Sequence, residues 1–105
     1  MNSNEELLRT AISQKRNVSA IYKGLYRELS PHALGMKNGK LNLLSYQYGG
    51  ESASGLTPGS PENWRCMPVG ALSEVSLLTS GDWYSVSPHS SRNTCIDEVF
   101  IEVEY

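Results

Sequence analysis

A chain of 105 residues, 39% of them hydrophobic, can bury one compact core but not two. Its 9 glycines and 5 prolines point to many turns joining short strands. The formal net charge of −2 argues against a uniformly basic polyanion binder, and the first twelve residues, which carry Glu5 and Glu6 and no long apolar run, read as neither a secretory signal nor a membrane span.

A cytoplasmic location is therefore expected, with Cys66 and Cys95 reduced and packed as small buried hydrophobes. Charge is uneven along the chain. Residues 1–80 hold eight Lys and Arg against six acids, a balance of +2, whereas residues 81–105 hold Arg92 against five acids, a balance of −4. The densest basic stretch, Lys15 to Lys40, has six Lys and Arg opposed by Glu28 alone.

In chain order, Ser3 followed by Glu6 has capping-box spacing and predicts a helix over residues 4–15. Leu7, Leu8, Ala11 and Ile12 share one face of it, and Asn17 can adopt the left-handed stop. From Val18 the apolar period changes to two, which predicts a strand. Lys23-Gly24 is a tight connection to a second strand, Leu25 to Ser30, broken at Pro31.

Asn38-Gly39 is the clearest local signal, because a type I′ turn needs positive φ at both central residues. It joins strands near 33–37 and 40–48; Leu41 and Leu43 on one face and Leu44, Tyr46 and Tyr48 on the other mark the second as central. Gly49 to Asn63, with four Gly, three Ser and two Pro, reads as a long mobile loop. Strands resume near Trp64–Met67 and Val75–Thr79, residues 80–94 read as a polar excursion, and Val99, Ile101, Val103 and Tyr105 form one apolar face of a terminal strand.

Several short motifs combine into a family likeness. They are Tyr22-Lys23-Gly24, Arg27, Pro31-His32 and Leu34-Gly35, then Asn38 through Gln47, then Trp64-Arg65-Cys66-Met67 leading to Leu72 and Val75. In order and spacing, residues 7–79 resemble a WYL domain, here divergent and stand-alone. The resemblance implies a mainly β fold: an Sm-like small β-barrel with an N-terminal α-helix, to which this chain adds a C-terminal strand. Residues 1–80 would form the barrel with its leading helix, and residues 81–105 an extension of the same domain.

The resemblance further implies a regulatory, non-enzymatic module that binds a nucleotide or single-stranded nucleic acid in a groove. Its matching positions are Tyr22, Arg27, His32, Ser45, Tyr46 and Gln47, to which Arg65 is added as a second potential phosphate fork. The likeness departs at Leu41-Asn42-Leu43, which keeps only the last residue of Trp-Tyr-Leu, and at Pro68 and Ala71, where the family is basic. The plainer reading of each Arg is a solvated strand residue, and of each aromatic a core filler.

Other chemistries find little support. His32, Cys66, His89 and Cys95 lack the paired spacing of a zinc site, no serine sits in a nucleophile elbow, and no cofactor is expected. Asp97, Glu98, Glu102 and Glu104 read as the solvated side of an edge strand. Two readings compete with the ligand-binding one: a protein interaction or oligomerisation module that has lost the ligand site, in which strand 96–105 pairs with a protein partner or a second copy, and a barrel whose acidic tail masks its basic body as an electrostatic gate.

Overall fold

The computed structural model describes residues 3–51, 63–79, 81–84 and 96–103. Helix α1 (Ser3–Gln14) carries Glu5 and Glu6 in its first turn, where carboxylates oppose the positive end of the helix dipole. It ends at Lys15, whose φ of 52° is left-handed. The Lys15 amide donates to the Ile12 carbonyl and the Arg16 amide to that of Ala11, the paired bonds that close a helix C-terminus. Asn17 is thus not the stop; its side chain serves elsewhere.

Six strands follow: β1 (Val18–Tyr22), β2 (Leu25–Lys37), β3 (Lys40–Gly50), β4 (Trp64–Pro68), β5 (Leu72–Leu77) and β6 (Glu98–Glu102). Their pairings are antiparallel and form one sheet in the order β4-β3-β2-β1-β5, with β6 added beside β2. Both predicted tight turns are present. Tyr22 pairs with Leu25 across Lys23-Gly24, whose φ values are 54° and 75°. Lys37 pairs with Lys40 across Asn38-Gly39, at 51° and 77°.

Three expectations need correction. The sheet is not closed into a barrel: no ladder joins β4 to β5 among the described residues, although a single 3-10 turn, Val69–Ala71, connects them. Pro31 does not end a strand, since β2 runs through it with a register shift between Pro31 and Ala33. A bulge tolerates the missing N–H, and here it falls where β2 changes partner, from β1 across Leu25–Leu29 to β6 across Ala33–Met36. Cys66, finally, is not a reduced core residue but exposed and disulfide-bonded.

Helix α1 covers one face of the sheet with Leu8, Ala11 and Ile12. These pack with Val18, Ala20, Leu29, Leu34, Leu43, Met67, Val69, Leu72 and Val103 into the main core. A smaller cluster of Ala33, Leu44 and Ile96 packs with Trp64. Most of the predicted mobile loop lies outside the described residues, as do His89, Arg92, Cys95 and Tyr105. The part of the predicted polar excursion that is described, residues 81–84, is strapped to the sheet by hydrogen bonds.

Gly35 sets how closely β6 approaches. A Cβ at this position would collide with the Glu98 carbonyl and the Ile96 side chain. Gly35→Ala is therefore expected to cost about 1–3 kcal/mol and to speed amide hydrogen exchange in β6 selectively. Unchanged exchange at Val99 and Ile101 would show that the β2–β6 contact does not depend on this glycine.

Candidate functional site

Strand alternation sends Arg27 to the helix-covered face, opposite Ala20 of β1, and its side chain is 3% exposed. Its Nη1 donates to Gln47 Oε1 at 3.3 Å and its Nη2 to the Tyr22 carbonyl at 3.3 Å, while the Tyr22 ring lies 5.1 Å from Cζ. Nε is buried with no partner. Among the described residues the ion pairs are Arg9 with Glu5 and Lys37 with Asp97, so no carboxylate neutralises this guanidinium.

Gln47 is held in the orientation this contact needs. Its Nε2 donates to the carbonyls of Gly49 at 3.0 Å and Glu51 at 2.8 Å, which leaves Oε1 to accept from Arg27. Ser45, two residues earlier and fully buried, has an Oγ without a partner. Its register partner on β4 is Arg65, half-buried and donating to the Trp64 carbonyl at 3.3 Å. Burial, and after it the Arg27 cation, hold Arg65 below the usual guanidinium range, while Tyr46 acts in the opposite sense.

Five of the seven predicted site residues thus gather at one end of the inner face: Tyr22, Arg27, Ser45, Gln47 and Arg65. They form a largely buried polar cluster with the Tyr22 ring over Arg27, in place of the expected open groove. An uncompensated buried cation is costly. The Arg27 Nε and the Ser45 hydroxyl are the buried polar atoms of this cluster without a partner, and a guanidinium fork is the chemistry that suits a phosphate or carboxylate.

The other two predicted residues do other work. His32 is fully buried between Trp64, 4.5 Å away edge to face, and Trp83, at 4.2 Å. Its Nε2 donates to the Tyr84 carbonyl at 2.9 Å. Tyr46 is 2% exposed, packs edge to face on Trp64 and accepts at its hydroxyl from Asn63 Nδ2 at 3.4 Å. Pro68 and Ala71, where the resemblance expects basic residues, line a separate cleft of about 550 Å³ with Lys40, Leu41 and Gly70. Their missing charge falls at that cleft, not at Arg27.

Sequence reasoning missed the strap across the outer face. Asn17 Nδ2 donates to the Asp82 carbonyl at 2.6 Å, Ser30 Oγ donates to Asn17 Oδ1 at 2.7 Å, and the Tyr84 amide donates to Ser30 Oγ at 2.9 Å. Trp83 Nε1 adds a bond to the Pro31 carbonyl at 3.2 Å. Two adjacent aromatics, Trp83-Tyr84, within an otherwise polar stretch were the available signal. No known family model, curated protein or solved structure matches the chain.

The Arg27 site carries its own stability test. Arg27→Met keeps the volume and removes the unpaired charge, so folding stability should be unchanged or rise by about 1–4 kcal/mol, read from urea unfolding. A substantial loss instead would mark Arg27 as a structural residue whose neutral partners suffice.

Proposed function

We propose that this chain is a non-enzymatic regulatory binding module of the WYL type, whose ligand is a nucleotide or single-stranded nucleic acid. The observation that carries this reading is the buried Arg27 guanidinium, which has only neutral partners and lies near Arg65 and the unpartnered Ser45 hydroxyl. A phosphate entering past Tyr22 would bridge the two arginines, and the Tyr22 ring would be placed to stack on a base, an interaction worth about 1–3 kcal/mol. His32 and Tyr46, in this reading, stiffen the opposite face and do not touch ligand.

The cytoplasmic location expected from the sequence conflicts with one feature of the structure. The disulfide at Cys66 weighs against a reducing compartment, while no helix among the described residues is long and apolar enough to cross a membrane. A second reading is assembly with a protein partner or a second copy through the terminal strand. It is favoured by Val99 and Phe100, which are 40% and 41% exposed on β6.

Fluorescence anisotropy with labelled single-stranded oligonucleotides, and calorimetry with a nucleotide panel, test the first reading. Saturable binding is expected to weaken as salt rises and to fall by about 10- to 100-fold in Arg27→Met. Absence of saturable binding at low salt would sink it. For the second reading, sedimentation should reveal a concentration-dependent dimer that Val99→Lys abolishes, and a monomer at every concentration would exclude it.

A further inference from the structure

On the outer face, the residue after Arg27 poses the opposite electrostatic problem. Glu28 is half-buried, and its carboxylate accepts a hydrogen bond from the Tyr26 hydroxyl at 3.2 Å. Behind it lies Gly49, where an added Cβ would stand 2.5 Å from Glu28 Oε1, so the absent side chain makes room for the carboxylate. Neither ion pair among the described residues includes Glu28.

Tyr26 and Tyr48 lie close enough to this carboxylate to feel its charge. Tyr48 stacks on Tyr84 with centroids 4.8 Å apart and planes 27° from parallel, and Tyr26 and Tyr84 are 43% and 41% exposed. Burial, together with Glu28, Tyr26 and Tyr84, pushes the Tyr48 hydroxyl up to about 12. Tyr48 is thus held as a neutral phenol to well above the physiological pH range. Tyr84 is fixed in place by the bonds of its amide to Ser30 and its carbonyl to His32.

We propose that Tyr26, Glu28, Tyr48 and Tyr84 form a receptor for the guanidinium of an arginine presented by a partner polypeptide. Tyrosine faces attract cations through the ring quadrupole. A planar, weakly hydrated guanidinium can lie on such a face and still direct its fork at a carboxylate, which a compact ammonium does less well. The carboxylate that welcomes a cation repels phosphate, so this platform does not serve nucleobase stacking. The site is independent of the Arg27 pocket, which lies on the other side of the sheet.

The test is an amide-shift titration of the full-length, isotopically labelled chain with N-acetyl-arginine N-methylamide, its citrulline and lysine counterparts, and free arginine. Saturable shifts are expected at residues 26–28, 48–49 and 84 with the capped arginine. Glu28→Gln, nearly isosteric at its half-buried position, and Tyr84→Ala, at an exposed one, should each weaken binding by about three- to tenfold. Citrulline should give no saturable shifts, and the lysine compound should bind more weakly.

Lack of saturation with the capped arginine, equal binding of citrulline, or an unaffected Glu28→Gln would overturn the site. Equal binding of the lysine compound would overturn the guanidinium assignment. Tighter binding of free arginine than of the capped form would overturn the polypeptide source.

Discussion

Backbone hydrogen bonding along β2 is the constraint on which the rest of the molecule depends. β3 covers one edge of this 13-residue strand from Arg27 to Lys37. The other edge is divided between β1 and β6, with Pro31 in the interval between them. Because side chains alternate strictly along a strand, this arrangement also distributes chemistry. Arg27 and Leu29 go toward the helix, while Tyr26, Glu28 and Ser30 go toward the outer face. The bulge beyond Pro31 resets that alternation, so a single long strand supplies the apolar core, the polar cluster around Arg27 and the anchor for the strap.

The outer strap carries the same logic into residues distant in sequence. Asn17 sits just after the helix, where a side-chain amide can bond both Ser30 and the Asp82 carbonyl. Its own carbonyl accepts from the Leu78 amide at 2.9 Å. Lys15 reaches the Trp83 ring at 5.5 Å. Buried polar groups are costly unless every member is paired, and this network pairs each in turn. That completeness contrasts with the inner pocket, where Arg27 Nε and Ser45 Oγ are left without partners. It is on this open cluster that the proposed ligand reading rests.

Local features were legible in the sequence where one residue type decides the geometry. Asn38-Gly39 and Lys23-Gly24 mark turns because positive φ is available to few residues, and the alternation of Val18, Ala20 and Tyr22 marks β1 without help from the rest of the chain. The continuity of β2 through Pro31 was not legible, since a proline reads as a break until the bulge and the change of partner are known. The strap was hidden for a similar reason: Asn17, Ser30 and Tyr84 meet only through the fold. Arg27, Gln47 and Arg65 were picked out by motif position, but burial, the property that makes Arg27 chemically unusual, has no signature in a strand that alternates polar and apolar residues. The disulfide at Cys66 was equally invisible, because two cysteines define no framework on their own.

Arg27 and Glu28 are neighbours in sequence with opposite charges, and on a helix or in a loop their charges would partly cancel. On a strand they cannot, because consecutive side chains leave the sheet on opposite faces. The sheet backbone stands between them. Each charge is held by neutral groups alone: Gln47 and the Tyr22 carbonyl for the cation, the Tyr26 hydroxyl for the anion. A strand carrying Arg-Glu therefore keeps, among the described residues, two charges of opposite sign outside any ion pair, one per face. Because the fold has separated them, neither charge can answer the other, and both proposals, an anion on the helix-covered side and a cation on the tyrosine side, rest on that separation.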